Sequence, residues 1–342
     1  MTNGYNEIQG SGLRGDGRGA GRRRNDAGAS GPSGLAVALI AVVLATAAYL
    51  AWTGALGGKA TLFAAGVISD HRWQYRLTFT PDGRTAYFSV ADEFFPGSRQ
   101  ATIYVSELGE DGEWTEPRVA PFSGTYPDID PFITPDGSRM YFASIRPVDG
   151  EPKPDLDIFY MDRVGDGWGE PVRLGPEVNS ELDELYPSAD SAGVLYFASG
   201  PDRPTEAADW DIYFARPTGS GFAPREPLVA VNTSVPFVPG EPTVDWEFNP
   251  EISPDGRMLI FTSHRPGGYG YGDLYVTHFR NGAWTEPENL GPRVNTEHDE
   301  FHATLSRDGR TLYFVRTVLR PELVPGSFYR IPTRAVPALR RR

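Results

Sequence analysis

Short apolar runs separated by turns rich in glycine and proline dominate the chain, and the stretch 247–295 displays the unit that they form. It begins with the turn 253–256 (SPDG), in which proline presets φ and glycine accepts a positive φ. The apolar runs 258–261 and 273–276 predict strands, and the segment 284–287 (WTEP) ends the unit. Helical periodicity is missing from this stretch, so the unit is predicted to be all-β.

The same order of turn and strand recurs five times along the chain. The turn glycines lie 54, 56, 63 and 53 residues apart by subtraction of their numbers, and they are Gly83, Gly137, Gly193, Gly256 and Gly309. An aromatic strand follows each glycine, and a further strand follows it. Repeats of roughly 40 to 50 residues with four short strands are typical of a β-propeller. The sequence therefore predicts five blades, and a sixth would require a repeat that the sequence does not contain.

The fifth repeat has no tryptophan and Glu-Pro at its end, so its outer strand must come from elsewhere. The segment 63–69 (FAAGVIS) aligns with 174–180 (LGPEVNS), which lies at the end of an outer strand. We expect residues 61–68 to complete the last blade and to close the ring without an open strand edge.

The repeated pattern [Ser/Thr]-Pro-Asp-Gly-x-x-x-Tyr-Phe, with Asp-Ile-Tyr downstream, resembles the WD-like propeller repeats of TolB-type proteins. The stretches 267–275 (GGYGYGDLY) and 290–296 (LGPRVNT) fit that pattern especially well. The resemblance covers about 75–335. It implies a propeller that serves as a binding platform, whereas fold alone does not define a function.

The chain before the repeats has a different character. Residues 1–34 are rich in glycine and arginine and are expected to form a disordered cytoplasmic tail. Residues 35–56 are uncharged and, at about 1.5 Å per residue, are long enough for one transmembrane helix. The arginines precede this segment, so the propeller, 57–342, is expected on the extracytoplasmic side. A cleaved signal peptide is the alternative interpretation of 35–56.

Charge narrows the range of partners. The whole chain carries −13, and residues 1–34 carry +2 from five arginines against three acidic residues, which leaves −15 for 57–342. A surface this acidic disfavours nucleic acid and suits cationic or neutral partners. Cysteine is absent, so the exported domain is expected to fold without disulfides.

Four repeats place a carboxylate seven residues before the turn proline or its equivalent, where the first repeat has Gln74. These residues, which we call the acidic ring, are Asp128, Glu184, Glu247 and Glu300. Two interpretations remain open: a site for a divalent cation or a basic partner at the channel mouth, or carboxylates that cap backbone N–H groups of their own loops. Aromatic residues flank the ring, among them Trp73 and Trp246 one position before it and Phe248 and Phe301 one position after it.

Paired carboxylates beside aromatic rings are also what a glycosidase requires, so a carbohydrate-active enzyme is the alternative function. A separation of about 5 to 10 Å between two ring carboxylates in an open cleft would favour it.

The histidines offer a weaker site. His71 and His298 occupy equivalent positions in neighbouring blades and, with Glu300, form a candidate metal site. The segment 297–302 (EHDEFH) lacks the order of a zinc-protease helix. His264 and His278 fit no pattern and are interpreted as surface or loop residues.

The sequence thus predicts a membrane-anchored, single-pass protein that presents a five-bladed propeller to the periplasmic or extracellular side. We expect it to act without catalysis, as a binding or scaffold module for an envelope protein or a glycan, and to need no cofactor beyond the candidate divalent cation.

Overall fold

The computed structural model describes residues 58–148, 150–151, 153–201, 210–233, 246–318 and 324–340. The predicted cytoplasmic tail and the apolar segment 35–56 lie outside the described residues. Within the described part of the chain, no helix is long and apolar enough to cross a membrane.

Five antiparallel sheets of short strands form a five-bladed β-propeller, as the repeats predicted. From the innermost strand outwards, blade 1 is Trp73–Phe79, Thr85–Ala91, Thr102–Glu107 and Arg118–Val119; blade 2 is Asp128–Ile133, Arg139–Ser144, Asp157–Val164 and Val172–Arg173; blade 3 is Asp183–Ala189, Leu195–Gly200, Asp211–Ala215 and Glu226–Pro227. Blade 4 is Glu247–Ile252, Met258–Ser263, Asp273–Arg280 and Glu288–Asn289; blade 5 is Asp299–Leu305, Thr311–Val318, Val324–Pro332 and, from the start of the propeller, Thr61–Leu62.

Minor elements extend the blades. The short strands Gly167–Trp168 and Ala283–Trp284 extend the third strands of blades 2 and 4, and Pro217–Thr218 pairs with Gly221–Phe222 beside blade 3. The described helices are short: the α-helix Phe95–Ser98 and the 3-10 helices Thr333–Ala335 and Pro337–Arg340.

Closure of the ring follows the expectation for residues 61–68. Thr61 pairs with Arg330 and Leu62 with Tyr329, so the start of the propeller supplies the outer strand of blade 5. Phe63 and Ile68 are buried in the core beside this strand. Both ends of the propeller are therefore joined in one blade, and its third strand is paired on both sides.

The recurring turns are held by a side-chain bond as well as by glycine. In blade 4, the Ser253 hydroxyl donates to Asp255 at 2.6 Å, and Asp255 accepts the Arg257 backbone N–H at 3.1 Å. Gly256 takes a positive φ of 67°, and a Cβ there would lie 2.7 Å from the Asp190 carboxylate of blade 3. The turn motif thus satisfies its own backbone and allows neighbouring blades to approach closely.

An asparagine explains the repeated motif of segments 174–180 (LGPEVNS) and 290–296 (LGPRVNT). Asn295 accepts the Leu274 N–H at 2.9 Å and donates to the Leu274 carbonyl at 2.9 Å. Asn179 makes the same pair of bonds to Ile158, and Asn232 makes it to Ile212. These side chains complete the backbone hydrogen bonding of the third strand where the two-residue outer strand ends.

Every innermost strand contains a β-bulge at the same place. In each bulge a residue other than glycine has a positive φ, between 24° and 60°; these axial residues are Arg76, Asp130, Tyr186, Asn249 and His302. Such backbone conformations are uncommon outside glycine and occur where the surrounding structure enforces them. The bulges direct five side chains towards the propeller axis.

Candidate functional site

The acidic ring lies at or next to the start of the innermost strands, and each of its members is fully buried. Each also faces an arginine of its own blade: Asp128 with Arg146 at 2.6 Å, Glu184 with Arg225 at 2.7 Å, Glu247 with Arg265 at 3.2 Å and Glu300 with Arg316 at 2.6 Å. The guanidinium groups stack over the aromatic rings of the third strands, as Arg316 does on Tyr329 at 4.6 Å. The four negative charges are therefore matched by four positive ones.

The ring carboxylates also bind the loops that precede their strands. Glu184 accepts the Ser180 N–H, Glu247 the Thr233 N–H and Glu300 the Thr296 N–H, each at 2.8 Å. Asp128 accepts the Ser123 hydroxyl at 2.8 Å. These contacts have the geometry of the loop-capping interpretation.

Burial shifts the titration of two ring members. It raises the pKa of Asp128 and of Glu184 above the ordinary values, and the hydrogen bonds from Arg146 and Ser180 oppose that rise. The ion pairs keep the ring compatible with its burial.

The candidate metal site is not assembled. His71 is exposed, whereas Glu300 is fully buried and bonded to Thr296 and Arg316. Among the described residues, no group of three or more histidine, aspartate or glutamate side chains could hold a metal ion.

An aromatic pocket of about 180 Å³ lies beside the ring, at the mouth of the channel. Strand alternation explains its position: the residues one place after Gln74 and the four ring carboxylates all line it, and these are Tyr75, Ile129, Leu185, Phe248 and Phe301. Successive side chains of a strand point to opposite faces, so the ring positions turn away from the pocket while their neighbours face it. The carboxylates predicted as the candidate site therefore lie one residue away from the pocket wall.

Positions one place before the ring contribute the polar and large aromatic groups of the pocket. Asp183, Trp246 and Asp299 line it, whereas Trp73 packs on Phe94 with ring centroids 5.0 Å apart and is not part of the lining. Trp210, which precedes a third strand, adds a further ring. Of the two predicted tryptophans, the structure brings Trp246 to the pocket.

His264 was interpreted as a surface or loop residue; it lies in the loop after Met258–Ser263, but it is buried. It is 8% exposed and lines the pocket, stacked on Trp246 with centroids 5.2 Å apart. Tyr271 covers its other side at 4.4 Å. The glycine-rich loop makes this possible, because a Cβ at Gly272 would lie 2.2 Å from the Asp299 carboxylate and 3.4 Å from His264 Nε2.

Two of the five axial residues form the floor of the pocket. Tyr186 and His302 line it, with ring centroids 5.4 Å apart, and His302 Nδ1 lies 3.6 Å from Asp130 Oδ1. Below them, Arg76 of blade 1 reaches Glu251 of blade 4 at 2.6 Å. Because these blades are not neighbours in a ring of five, the ion pair crosses the channel and blocks it. No sequence signal marked these residues except their constant offset of two from the ring.

Several buried polar atoms of the pocket region have no hydrogen-bond partner among the described residues: Trp246 Nε1, His264 Nδ1, Asp299 Oδ1, His302 Nδ1 and both carboxylate oxygens of Asp130. A buried polar atom without a partner is uncommon in a folded protein and calls for a physical reason.

Burial among the apolar walls shifts the pKa values of the titratable residues in and below the pocket. Burial raises the pKa of Asp299 to about 7, and the neighbouring Glu300 charge adds to the rise. Burial lowers the pKa of His264 to about 4. Burial likewise raises the pKa of Asp130 to about 7, against the effect of Arg76. The imidazole of His264 is therefore neutral at neutral pH, and Asp299 is close to half ionised.

An ion pair stands at the rim. Arg99, which follows the helix Phe95–Ser98 in a left-handed conformation, donates to both oxygens of Asp183 at 2.9 Å. Asp183 also accepts the Leu156 N–H at 2.7 Å. With both oxygens engaged, Asp183 is poorly suited to act as a nucleophile or base.

Two arginines between the second and third strands of their blades pair with the acidic ring. Arg146 pairs with Asp128, and Arg265 pairs with Glu247. Asp157 pairs with Arg173 at 2.6 Å.

Comparison with solved structures identifies proteins with a similar fold. It is similar in structure to an endo-arabinase from Bacteroides thetaiotaomicron (14% identity, TM-score 0.51, covering 80% of this chain and 96% of that one) and to a thermostable family-43 glycoside hydrolase (13% identity, TM-score 0.51, 79% and 91%). It is also similar to a putative TolB from Agrobacterium tumefaciens (18% identity, TM-score 0.45, 73% and 72%). At these identities the similarity defines the fold alone. No family model matches the chain, and no curated protein matches its sequence.

Proposed function

We propose that this protein is a membrane-anchored, extracytoplasmic propeller that acts by binding rather than by catalysis. The aromatic pocket receives a group of an envelope protein or a glycan. The observation that carries the proposal is a pocket walled by aromatic side chains at the channel mouth and closed below by the Arg76–Glu251 pair. Concave, mostly apolar sites with a few polar groups are the usual form of a ligand site.

Two features favour binding over catalysis. The ring carboxylates are held by arginines and by loop N–H groups, so they are structural supports. Of the two carboxyl groups that line the pocket, Asp183 is fully engaged by Arg99. A glycosidase uses two carboxyl groups in different roles, and here only Asp299 has an unengaged oxygen.

The glycosidase remains the second candidate because one observation favours it. Burial raises the pKa of Asp299 to about 7, so part of the protein carries the proton that a general acid of a glycosidase needs near neutral pH. Incubation of the full-length protein with nitrophenyl glycosides separates the two functions. Release of nitrophenol that is lost in Asp299→Asn would contradict the binding proposal.

The pocket itself is tested by site-specific photo-crosslinking in intact cells. A photoreactive phenylalanine analogue replaces Tyr271, which is 46% exposed and lines the pocket, or Phe279, which is 39% exposed and lies on the outer part of blade 4. We expect a discrete adduct with a glycan or an envelope protein from position 271 and none from position 279. Equal labelling at both positions would contradict a pocket-centred function.

The anchor is a separate part of the proposal and rests on the uncharged segment 35–56 behind five arginines. A reporter enzyme fused after Arg342 is expected to be active only outside the cytoplasm, and the mature protein is expected to retain residues 1–34. A mature chain that begins inside the apolar segment would identify a cleaved signal instead.

A further inference from the structure

We infer that the pocket binds a neutral, polyhydroxylated ring, that is, one sugar unit of a glycan. The inference rests on the proposed binding function and specifies its ligand. It is drawn from the aromatic walls, from the polar atoms without partners and from the size of the pocket.

The walls supply flat aromatic faces around a small space. Tyr186 lies 6.0 Å from Trp210 and 5.8 Å from Phe248, and Phe248 lies 6.3 Å from Trp246, all between ring centroids. The face of an aromatic ring is electron-rich and attracts the weakly positive C–H groups of a sugar ring. At about 180 Å³ the pocket is smaller than the roughly 300–1,000 Å³ of sites for drug-sized ligands, so it suits one ring.

The polar atoms select among small ligands. Trp246 Nε1 carries a hydrogen and can only donate, Asp299 Oδ1 is an acceptor when ionised, and the neutral imidazole of His264 can accept or donate through Nδ1. An apolar ligand would leave these buried atoms without a partner. A hydroxyl group donates and accepts, so neighbouring hydroxyls of one ring serve all three.

Charged ligands fit less well. An organic cation offers Trp246 Nε1 no acceptor, so this buried N–H would stay without a partner. An anion would meet the Asp299 carboxyl and a chain with a formal net charge of −13. A neutral ring with hydroxyls is the ligand class that satisfies every group.

Access to these atoms requires a movement of Tyr271. Trp246 Nε1, His264 Nδ1 and Asp299 Oδ1 are screened from solvent by the rings around them. Tyr271 lies directly over His264 and stands between Gly270 and Gly272. Tyr271 is 46% exposed, so a change of its side-chain rotamer moves the ring aside when a sugar enters.

The test uses the full-length protein in detergent and named probes: glucose, galactose, arabinose and N-acetylglucosamine as neutral sugars, choline as a cation and glucuronate as an anion. Binding is measured by saturation-transfer NMR and calorimetry. Trp246→Phe keeps an aromatic ring but removes the N–H, and Asp299→Asn keeps the shape of the side chain. Trp284→Phe, on the outer edge of blade 4, is the matched control.

We expect at least one neutral sugar to bind and choline and glucuronate to bind more weakly. Trp246→Phe and Asp299→Asn should each weaken that sugar about tenfold, the effect of one hydrogen bond, whereas Trp284→Phe should not change its affinity. Thermal unfolding of each variant establishes that it is folded, and Trp246→Phe keeps the test decisive should Asp299→Asn be unstable.

The failure of this inference differs from the failure of the proposed function. If choline binds, none of the neutral sugars binds and the adduct at position 271 is retained, the inference of a sugar ligand is overturned. The pocket then remains a binding site. Equal sugar affinity in wild type, Trp246→Phe and Asp299→Asn would also overturn the inference. If the wild type binds no sugar and the variant with the photoreactive residue at position 271 forms no adduct, the proposed function is overturned as well.

Discussion

Arg76 and Glu251 form an ion pair across the propeller axis, with Arg76 Nη2 and Glu251 Oε2 2.6 Å apart and both side chains almost completely buried. Arg76 also donates to the Pro250 carbonyl at 3.2 Å, and Glu251 accepts the Leu305 N–H at 2.9 Å. The pair therefore links blades 1, 4 and 5 and closes the space below the pocket. On the far side, Arg307 of blade 5 donates to the Phe79 and Ile133 carbonyls, which links blades 1 and 2 as well.

Arg76→Met should lower the free energy of unfolding by about 3–5 kcal/mol, because it leaves Glu251 buried without its partner. The change is measured by urea unfolding. Arg118→Met, which removes an exposed ion pair with Glu107, is the control and should cost at most about 1 kcal/mol.

The double variant Arg76→Met with Glu251→Gln should recover much of the loss, because the uncompensated charge is removed. A cost below about 1 kcal/mol for Arg76→Met alone would contradict the assignment of this pair as a structural link.

Asp299→Asn should change how stability depends on pH. The native pKa of Asp299 is raised to about 7 from an ordinary value of 3.8, so the folded protein binds more protons than the unfolded chain between these values. Its contribution to stability is therefore lost as pH rises through that window. The stability of the variant minus that of the wild type should therefore be larger at about pH 8 than at about pH 4.

Thermal unfolding at the two pH values measures this difference, and exposed Asp166→Asn is the control. Parallel curves for wild type and Asp299→Asn would show that Asp299 titrates normally.

Asn295→Ala should destabilise the fold by about 1–3 kcal/mol, since the buried backbone N–H of Leu274 loses its partner and the Leu274 carbonyl keeps only the Leu290 N–H. Guanidinium unfolding measures the loss, and Gln100→Ala on the surface is the comparison. An effect equal to that of Gln100→Ala would show that the asparagine contributes little to holding the third strand.

The repeat made most of the fold predictable. Glycine and proline turns, aromatic strands and the asparagine motif are local signals, so they predicted five blades and closure by the segment 61–68, of which Thr61–Leu62 forms the strand. The pocket was harder to locate because its wall depends on which face each strand residue takes. Trp246 was identified, whereas Asp299 and His264 acquire their significance from neighbours that are distant in sequence.

The axial residues show more clearly which features cannot be predicted from the sequence. A positive φ at Tyr186 is enforced by the surrounding structure, because tyrosine has no local preference for it, whereas Asp130 and His302 are of residue types that adopt it more readily. Likewise, the partners of the acidic ring could not be assigned from sequence. Arg225 and Arg316 lie 41 and 16 residues from Glu184 and Glu300, without a common spacing.

Glu184→Gln and Glu300→Gln should each destabilise the protein by about 1–3 kcal/mol, because each glutamate accepts loop N–H and hydroxyl donors and pairs with an arginine. Thermal unfolding with and without calcium is the measurement. We expect the melting temperature of wild type and of the double variant to be insensitive to calcium. A calcium-dependent rise in wild type that the double variant loses would instead establish the ring as a cation site.

Phe63→Ala should cost about 3–5 kcal/mol, because Phe63 anchors the strand that closes the ring. Its ring packs on Tyr313 at 5.0 Å, on Trp114 at 5.9 Å and on Phe79 at 6.2 Å between centroids, so it joins the closing strand to blades 1 and 5. Leu62→Ala is the matched control, since Leu62 is adjacent but 41% exposed and should cost far less. Urea unfolding measures both variants. Similar losses for the two residues would mean that the backbone pairing of Thr61–Leu62, rather than the Phe63 side chain, holds the two ends of the propeller together.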